Sequence, residues 1–209
     1  MSDVEALLAG APGRLRTLRA ELREWSDPAA TRAAIERVAP GAGSHVPGDA
    51  PREIVSHHWF AAPDRVREER AGSLTIRRGD TWWTEDPHFG ALTNGGDPRQ
   101  TTTGAELIRQ WVAPGAILPS VELSAPASRT VAGRAALHVR AVPAGGPGAS
   151  LDLAFLGGYA DAWELDVDAE HGVLLGTAAL SAGERFQAIE ALAIAFDESL
   201  DDDRFRLPG

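Results

Sequence analysis

The chain has no cysteine, which excludes disulfides, thiolate nucleophiles and cysteine-held metals. It has no lysine either, so all 20 basic side chains are arginine. With abundant Ala, Gly and Pro, this is the mark of a GC-rich coding sequence. No apolar run approaches the roughly 18 residues that cross a bilayer as a helix. The opening MSDVEALLAGAPGRLRTLRAELREW lacks the basic-then-apolar order of a secretory leader, which predicts a cytoplasmic protein. Positive charge is scarce: 30 acidic residues give a net charge of −10. The imbalance sits late, with 13 Arg against 15 acids in residues 1–100 and 7 against 15 in the rest. Such a chain repels phosphate backbones, so no nucleic-acid partner is expected.

What is present is an ordinary globular composition, 44% apolar and 24% charged, long enough for one domain with a substantial core. Ser2-Asp3-Val4-Glu5 has capping-box form and predicts a helix start. Pro12-Gly13 interrupts it. Leu15, Leu18, Leu22 and Trp25 then recur at three- and four-residue steps, which predicts a resumed helix with one apolar stripe. Arg14, Arg16, Arg19 and Arg23 lie mostly off that stripe, as a solvated face or, alternatively, as a surface for a membrane. Asp27-Pro28 predicts a second helix, running to Ala39.

From Arg52 the period falls towards two. Strands are predicted near 52–60, 64–70, 73–78 and 81–85, with a tight turn at Gly79-Asp80. His88 to Thr103 reads as an exposed loop, and 103–111 as a helix ended by Pro114. Further strands are predicted at 120–124, 128–132, 135–142, 151–155, 161–168, 172–180 and 185–195. The acidic stretch Asp197 to Asp203 reads as a solvated terminus. The layout is α+β: a curved antiparallel sheet, with helices from the first 40 residues covering its concave face, in one domain spanning 1–209.

Few residues carry a chemical signal. Trp82 and Trp83 are adjacent on a strand and must face opposite ways. His57 and His58 are constrained in the same manner. Together with Asp86 and His88 they are the only candidates for acid–base or metal chemistry, and their spacing matches no ligand set. Ser56, Ser124, Ser128 and Ser181 lack a nucleophile elbow. Gly145-Gly146 and Gly157-Gly158 open no helix, so they are not phosphate loops. Asp166 and Asp168 share a strand face that reads as solvated. No catalytic residue, metal or cofactor is assigned.

Four segments in order carry a resemblance: APDRVREE, LTIRRGDTWWTEDP, TVAGRAALHVRAVP and WELDVDAEHGVLLGTAAL. They resemble the LolA-like family, which includes periplasmic lipoprotein carriers and the N-terminal domains of the MucB/RseB stress sensors. Pro63, then Gly79, Thr81, Trp83 and Pro87, then Asp168 and Gly172 match the family pattern over residues 50–207. Ala62 stands where the carriers have an arginine that helps hold a helical lid. The resemblance implies an incomplete β-barrel at 51–207 with a helical lid segment at 1–40. It also implies an apolar, lipid-like ligand in the concave face, lined here by Trp59, Trp82, Trp83, Trp111, Leu18, Leu22 and Trp25. A carrier or sensor is the first expectation. A module that docks a protein partner is the second, and an enzyme recruited from the fold is the third.

Overall fold

In the computed structural model, residues 2–43, 46–95, 106–145 and 156–208 are described. Twelve strands form one open antiparallel sheet. The elements run α1 (Asp3–Gly10), β1 (Thr17–Ser26), α2 (Pro28–Val38), β2 (Arg52–Ala61), β3 (Arg65–Arg70), β4 (Ser73–Arg78), β5 (Thr81–Asp86) and β6 (Gly90–Thr93). There follow α3 (Glu106–Val112), a 3₁₀ segment (Pro114–Ser120), β7 (Val121–Leu123), β8 (Ala127–Val131) and β9 (Arg134–Pro143). The last elements are β10 (Ala162–Asp168), β11 (Leu174–Ser181), β12 (Glu184–Phe196) and a short 3₁₀ turn (Asp202–Phe205). The strand order is β6-β5-β4-β3-β2-β1-β12-β11-β10-β9-β7, with β8 also on β9.

This curved half-barrel agrees with the expected α+β architecture, except in the segment Thr17–Ser26. The segment predicted as a lid helix is β1, paired along its length with β2 on one side and β12 on the other. Leu18 and Leu22 are four apart, a spacing that suits both a helical face and one side of a strand. Ala20 completes the strand reading: Leu18, Ala20 and Leu22 are buried, while Arg19, Glu21 and Arg23 alternate on the other side. Leu, Arg, Ala and Glu favour helix, and pairing on both edges overrides that preference. The arginines are held by acids on the outer face, Arg19 by Glu198 at 3.1 Å and Arg23 by Glu190 at 2.5 Å.

Other predictions agree more closely. Ser2 and Glu5 form the capping box of α1. Asp27 accepts from the backbone N–H groups of Ala29 and Ala30 to start α2. Three hairpins turn on Ala71-Gly72, Ala132-Gly133 and Ala182-Gly183, each pair with both φ angles positive. That is the primed turn whose twist matches flanking strands. The loop predicted after His88 holds an exposed edge strand, β6; residues 96–105, the rest of that loop and the start of the helix predicted from Thr103, lie outside the described residues, as does the strand predicted at 151–155. No helix among the described residues is long and apolar enough to cross a membrane.

Packing gathers on one side of the sheet. Leu18, Leu22, Phe60, Val66, Val139, Trp163, Leu165 and Ile189 contribute to a core completed by Leu8 of α1, Ile108 and Trp111 of α3, and Ile117 of the 3₁₀ segment. The β10–β11 turn ties α1 to this core. Asp168 accepts backbone hydrogen bonds from Glu170 and His171 and an ion pair from Arg134. Burial alone would raise its carboxyl pKa; those hydrogen bonds outweigh burial and hold it below the usual range. Asp166 and Asp168 are therefore buried, at 9% and 0% exposure, rather than solvated, because arginines from β8 and β9 close over them.

Gly172, in the same turn, has φ +76°, and a Cβ there would lie 2.3 Å from the backbone oxygen of Leu7. Gly183 has φ +82° with open space around it. Gly183→Ala should cost about 1–2 kcal/mol, the usual left-handed penalty. Gly172→Ala should cost more than about 3 kcal/mol, since α1 must move as well. Denaturant unfolding of the two variants measures the difference; equal losses would show that α1 does not rest on this turn.

Candidate functional site

Cross-strand register sorts the sheet into two faces. On the concave face one row runs Leu18, Phe60, Val66, Arg77 and Trp82 across β1 to β5. The next runs Ala20, His58, Glu68, Thr75 and Thr84, and the one beyond it Leu22, Ser56, Arg70 and Ser73. The concave side is thus apolar over β1 and β9–β12 and becomes polar across β2–β5. The outer face carries Arg19, Trp59, Arg67, Ile76 and Trp83 in one row.

The seven expected ligand-facing residues divide accordingly. Leu18, Leu22 and Trp111 share the core cluster, and Trp82 is buried at the far end of the Leu18 row. Trp59 and Trp83 lie on the outer face. Two cations approach the Trp59 ring there, with Arg204 at 4.7 Å and Arg67 at 5.9 Å from its centroid. The C-terminal turn holds this arrangement: Phe205 is buried, Arg65 sits over its ring, and the Arg204 carbonyl accepts from Arg67. The acidic stretch before it is not simply solvated, since Asp197 accepts from the backbone N–H groups of Arg16 and Thr17. Trp25 ends β1 on the outer row, opposite Glu53 and Ala188.

Trp111 roofs the concave core from α3, and it is fully buried together with Trp163 of β10. The indole N–H groups of both have no hydrogen-bond partner among the described residues. Helix α3 is seven residues long and is held at its start by Glu106, whose Oε1 accepts from Arg77 at 2.7 Å and from Arg109 at 3.0 Å. Arg77 of β4 thus reaches from the sheet to this helix.

His57, His58, Asp86 and His88 do not converge. His57 lies on the outer face beside Trp59, with ring centroids 6.3 Å apart. Asp86 accepts from Ser73 and from the backbone of His88 and Phe89. His58 instead joins Ser56 and Glu68: its Nε2 lies 2.8 Å from Ser56 Oγ, and its Nδ1 lies 3.7 Å from Glu68 Oε2. That second distance is beyond a hydrogen bond. Ser56 and His58 are 0% exposed, so this Ser–His–carboxylate row is a buried polar seam rather than a presented nucleophile. Among the described residues no group of three or more His, Asp or Glu could hold a metal ion.

The seam continues outward. Glu24 Oε1 accepts from Ser56 at 3.3 Å and Glu24 Oε2 accepts from Arg70 at 2.6 Å. Glu24 and Arg70 line a cavity of about 300 Å³ at the mouth of the concave side. Its walls are the end of β1, the start of β2 with Arg52 and Ile54, the first turn of α2, Val46, and Gln187 of β12. Arg32 pins the loop above it through the carbonyls of Val46 and Gly48. A second cavity, about 210 Å³, lies on the outer face over Gly176, Ala178 and Ala188, walled by Arg129, Glu164, Asp166 and Arg185.

Sequence reasoning missed Glu24, Arg52, Glu68, Arg70 and Trp163, and set Ser56 aside for want of a nucleophile elbow. The signal for two of them was available: Ser56 and His58 are two apart on a strand, and pairing β2 with β3 around Pro63 brings Glu68 opposite His58. Burial, then the positive charge of Arg70, lower the His58 pKa to about 3. In an unfolded chain the same ring protonates near pH 6.5. The unfolded state therefore binds the extra proton between those values, and stability falls as pH falls from about 6.5 towards 3. Urea unfolding at pH 6.5 and 5.5, above most carboxylate titration, should show about 1 kcal/mol of loss from this group. In His58→Gln that loss should disappear; an unaltered pH slope would show that His58 is not held neutral.

Comparisons with known proteins agree on the fold. No protein-family model matches the chain, and no curated protein matches its sequence. Solved structures do. The Pseudomonas aeruginosa MucA/MucB complex matches at TM-score 0.52 and 15% identity, over 99% of this chain and 62% of that one. The lipoprotein LppX of Mycobacterium tuberculosis matches at 0.53 and 14%, over 96% and 99%. An uncharacterised conserved protein of Thermus thermophilus matches at 0.56 and 10%, over 99% and 95%. The chain spans about 60% of the length of the MucB structures it matches. It is a half-barrel of the LolA-like fold, the fold also taken by LppX and MucB.

Proposed function

We propose that this domain is a non-catalytic binding protein, a carrier or sensor, that takes an apolar, lipid-like ligand against the concave face of its sheet. The observation that carries the reading is the roof. The apolar rows of β1, β9, β10 and β12 are closed not by more sheet but by short helical pieces, of which α3 is seven residues long. A ligand would take the place of Trp111 and Ile108 over Leu18, Leu22 and Leu165. The fold supports this reading, since the LolA-like family that the sequence resembles includes lipoprotein carriers. So does the chemistry of the residues, because the acid–base candidates of the sequence do not meet.

A second reading, docking of a protein partner, has its own observation. The edge strand β6 is exposed throughout, with Leu92 at 48% and the adjoining Phe89 at 79% exposure, and MucB of the same fold forms a complex with MucA. An open edge bearing apolar side chains can pair with an added strand.

A neutral fluorescent naphthylamine separates the two. The first reading expects saturable, one-to-one binding by the folded protein. Glu106→Gln, which releases Arg77 and Arg109 together, should raise the on-rate about fivefold by making the open roof less rare. Absence of probe binding in both forms would overturn the ligand reading and favour the partner.

A further inference from the structure

We propose that the cavity at the mouth, between the end of β1, the start of β2 and α2, holds the anionic head group of an amphiphile whose chain lies along the concave face. The inference rests on the apolar-ligand reading and narrows it to a class of molecule.

Charge at the mouth favours an anion. Three ionic side chains line the cavity: Glu24, Arg52 and Arg70. Glu24 and Arg70 are engaged with each other, and the second oxygen of Glu24 takes Ser56. The nearby acids are also occupied, Asp49 by Arg32 and Glu53 by Arg23. Arg52 alone has no acidic partner among the described residues, so the cavity carries one uncompensated positive charge. Ser26, Thr31 and Gln187 add hydroxyl and amide groups around it. A guanidinium offers a planar fork of donors that suits carboxylate and phosphate oxygens.

Size and lining agree with the chain direction. About 300 Å³ is the lower end of small-ligand cavities and accommodates a head group rather than a whole lipid. Ile54 and Val46 supply apolar wall beside the polar groups, and the paired Leu22 and Ala191 lie next inward along β1 and β12 on the core side. An apolar chain entering here passes from the cavity onto the core face without crossing the outer surface. The His58 seam to the side is buried, so Arg52 is the cation left open to the charge of the ligand.

Calorimetry with the full chain, at monomeric ligand concentrations, tests this with dodecyl phosphate, dodecanol and inorganic phosphate. Dodecyl phosphate should bind about tenfold more tightly than dodecanol, the worth of one partly exposed charge pair. Arg52→Gln should bring the two within about twofold while leaving dodecanol unchanged; among the described residues the Arg52 side chain has no other polar partner, so the variant should fold. Inorganic phosphate should not compete at millimolar concentration. Equal affinities in the wild type, or a preference that survives in Arg52→Gln, would overturn the head-group assignment and leave the apolar-ligand reading standing. Competition by inorganic phosphate at the affinity of dodecyl phosphate would overturn it in favour of a free-anion site. Binding of neither long-chain compound would overturn both.

Discussion

The whole sheet hangs on β1. Strands β2 to β6 form one antiparallel run and β7 to β12 another, and among the described strands only β1 joins them. Its two ladders, to β2 and to β12, are what turn two ribbons into one curved surface. The side chains obey the same demand. Leu18, Ala20 and Leu22 face the core from the middle of the sheet, while Arg19 and Arg23 meet acids on the outside. At Asp197 the joint is closed by the carboxylate's hold on the backbone of Arg16 and Thr17, and those bonds lower its pKa.

The two halves joined in this way differ chemically. The β9–β12 half offers the concave side Val139, Trp163, Leu165 and Ile189, an apolar wall against which α3 and the 3₁₀ segment pack. The β2–β5 half offers Ser56, His58, Thr75 and Arg70, tied to one another or to Glu24 and Thr84, with Glu68 beside His58 at 3.7 Å. Burying such a seam is costly unless its members are hydrogen-bonded. A concave face that is greasy on one flank and polar on the other suits a molecule with the same division.

Much of the fold was legible because it is local. The Gly79-Asp80 turn and the alternation on either side define β4 and β5, and the Asp27-Pro28 cap defines α2. The β1 misreading shows where local rules end: a four-residue spacing of leucines in a helix-prone segment has two solutions, and only the partners on both edges choose between them. The site was less legible for the same reason. The faces of Trp82 and Trp83 follow from alternation, but which face is the concave one does not, and Trp59 fell on the outer side, under a C-terminal turn anchored by Phe205. The mouth cavity is assembled from positions 24, 52, 70 and 187, which share no motif and meet only through register.

A strand whose two neighbours lie far apart in the sequence has a particular history during synthesis. The β2 side of β1 is filled soon after the segment leaves the ribosome, but its other edge waits for β12, which begins only at Glu184. An unpaired edge of this length invites aggregation. Until Glu184–Phe196 has been made, β1 is therefore paired on one side only, and the protection of its free edge depends on the last strand of the sheet.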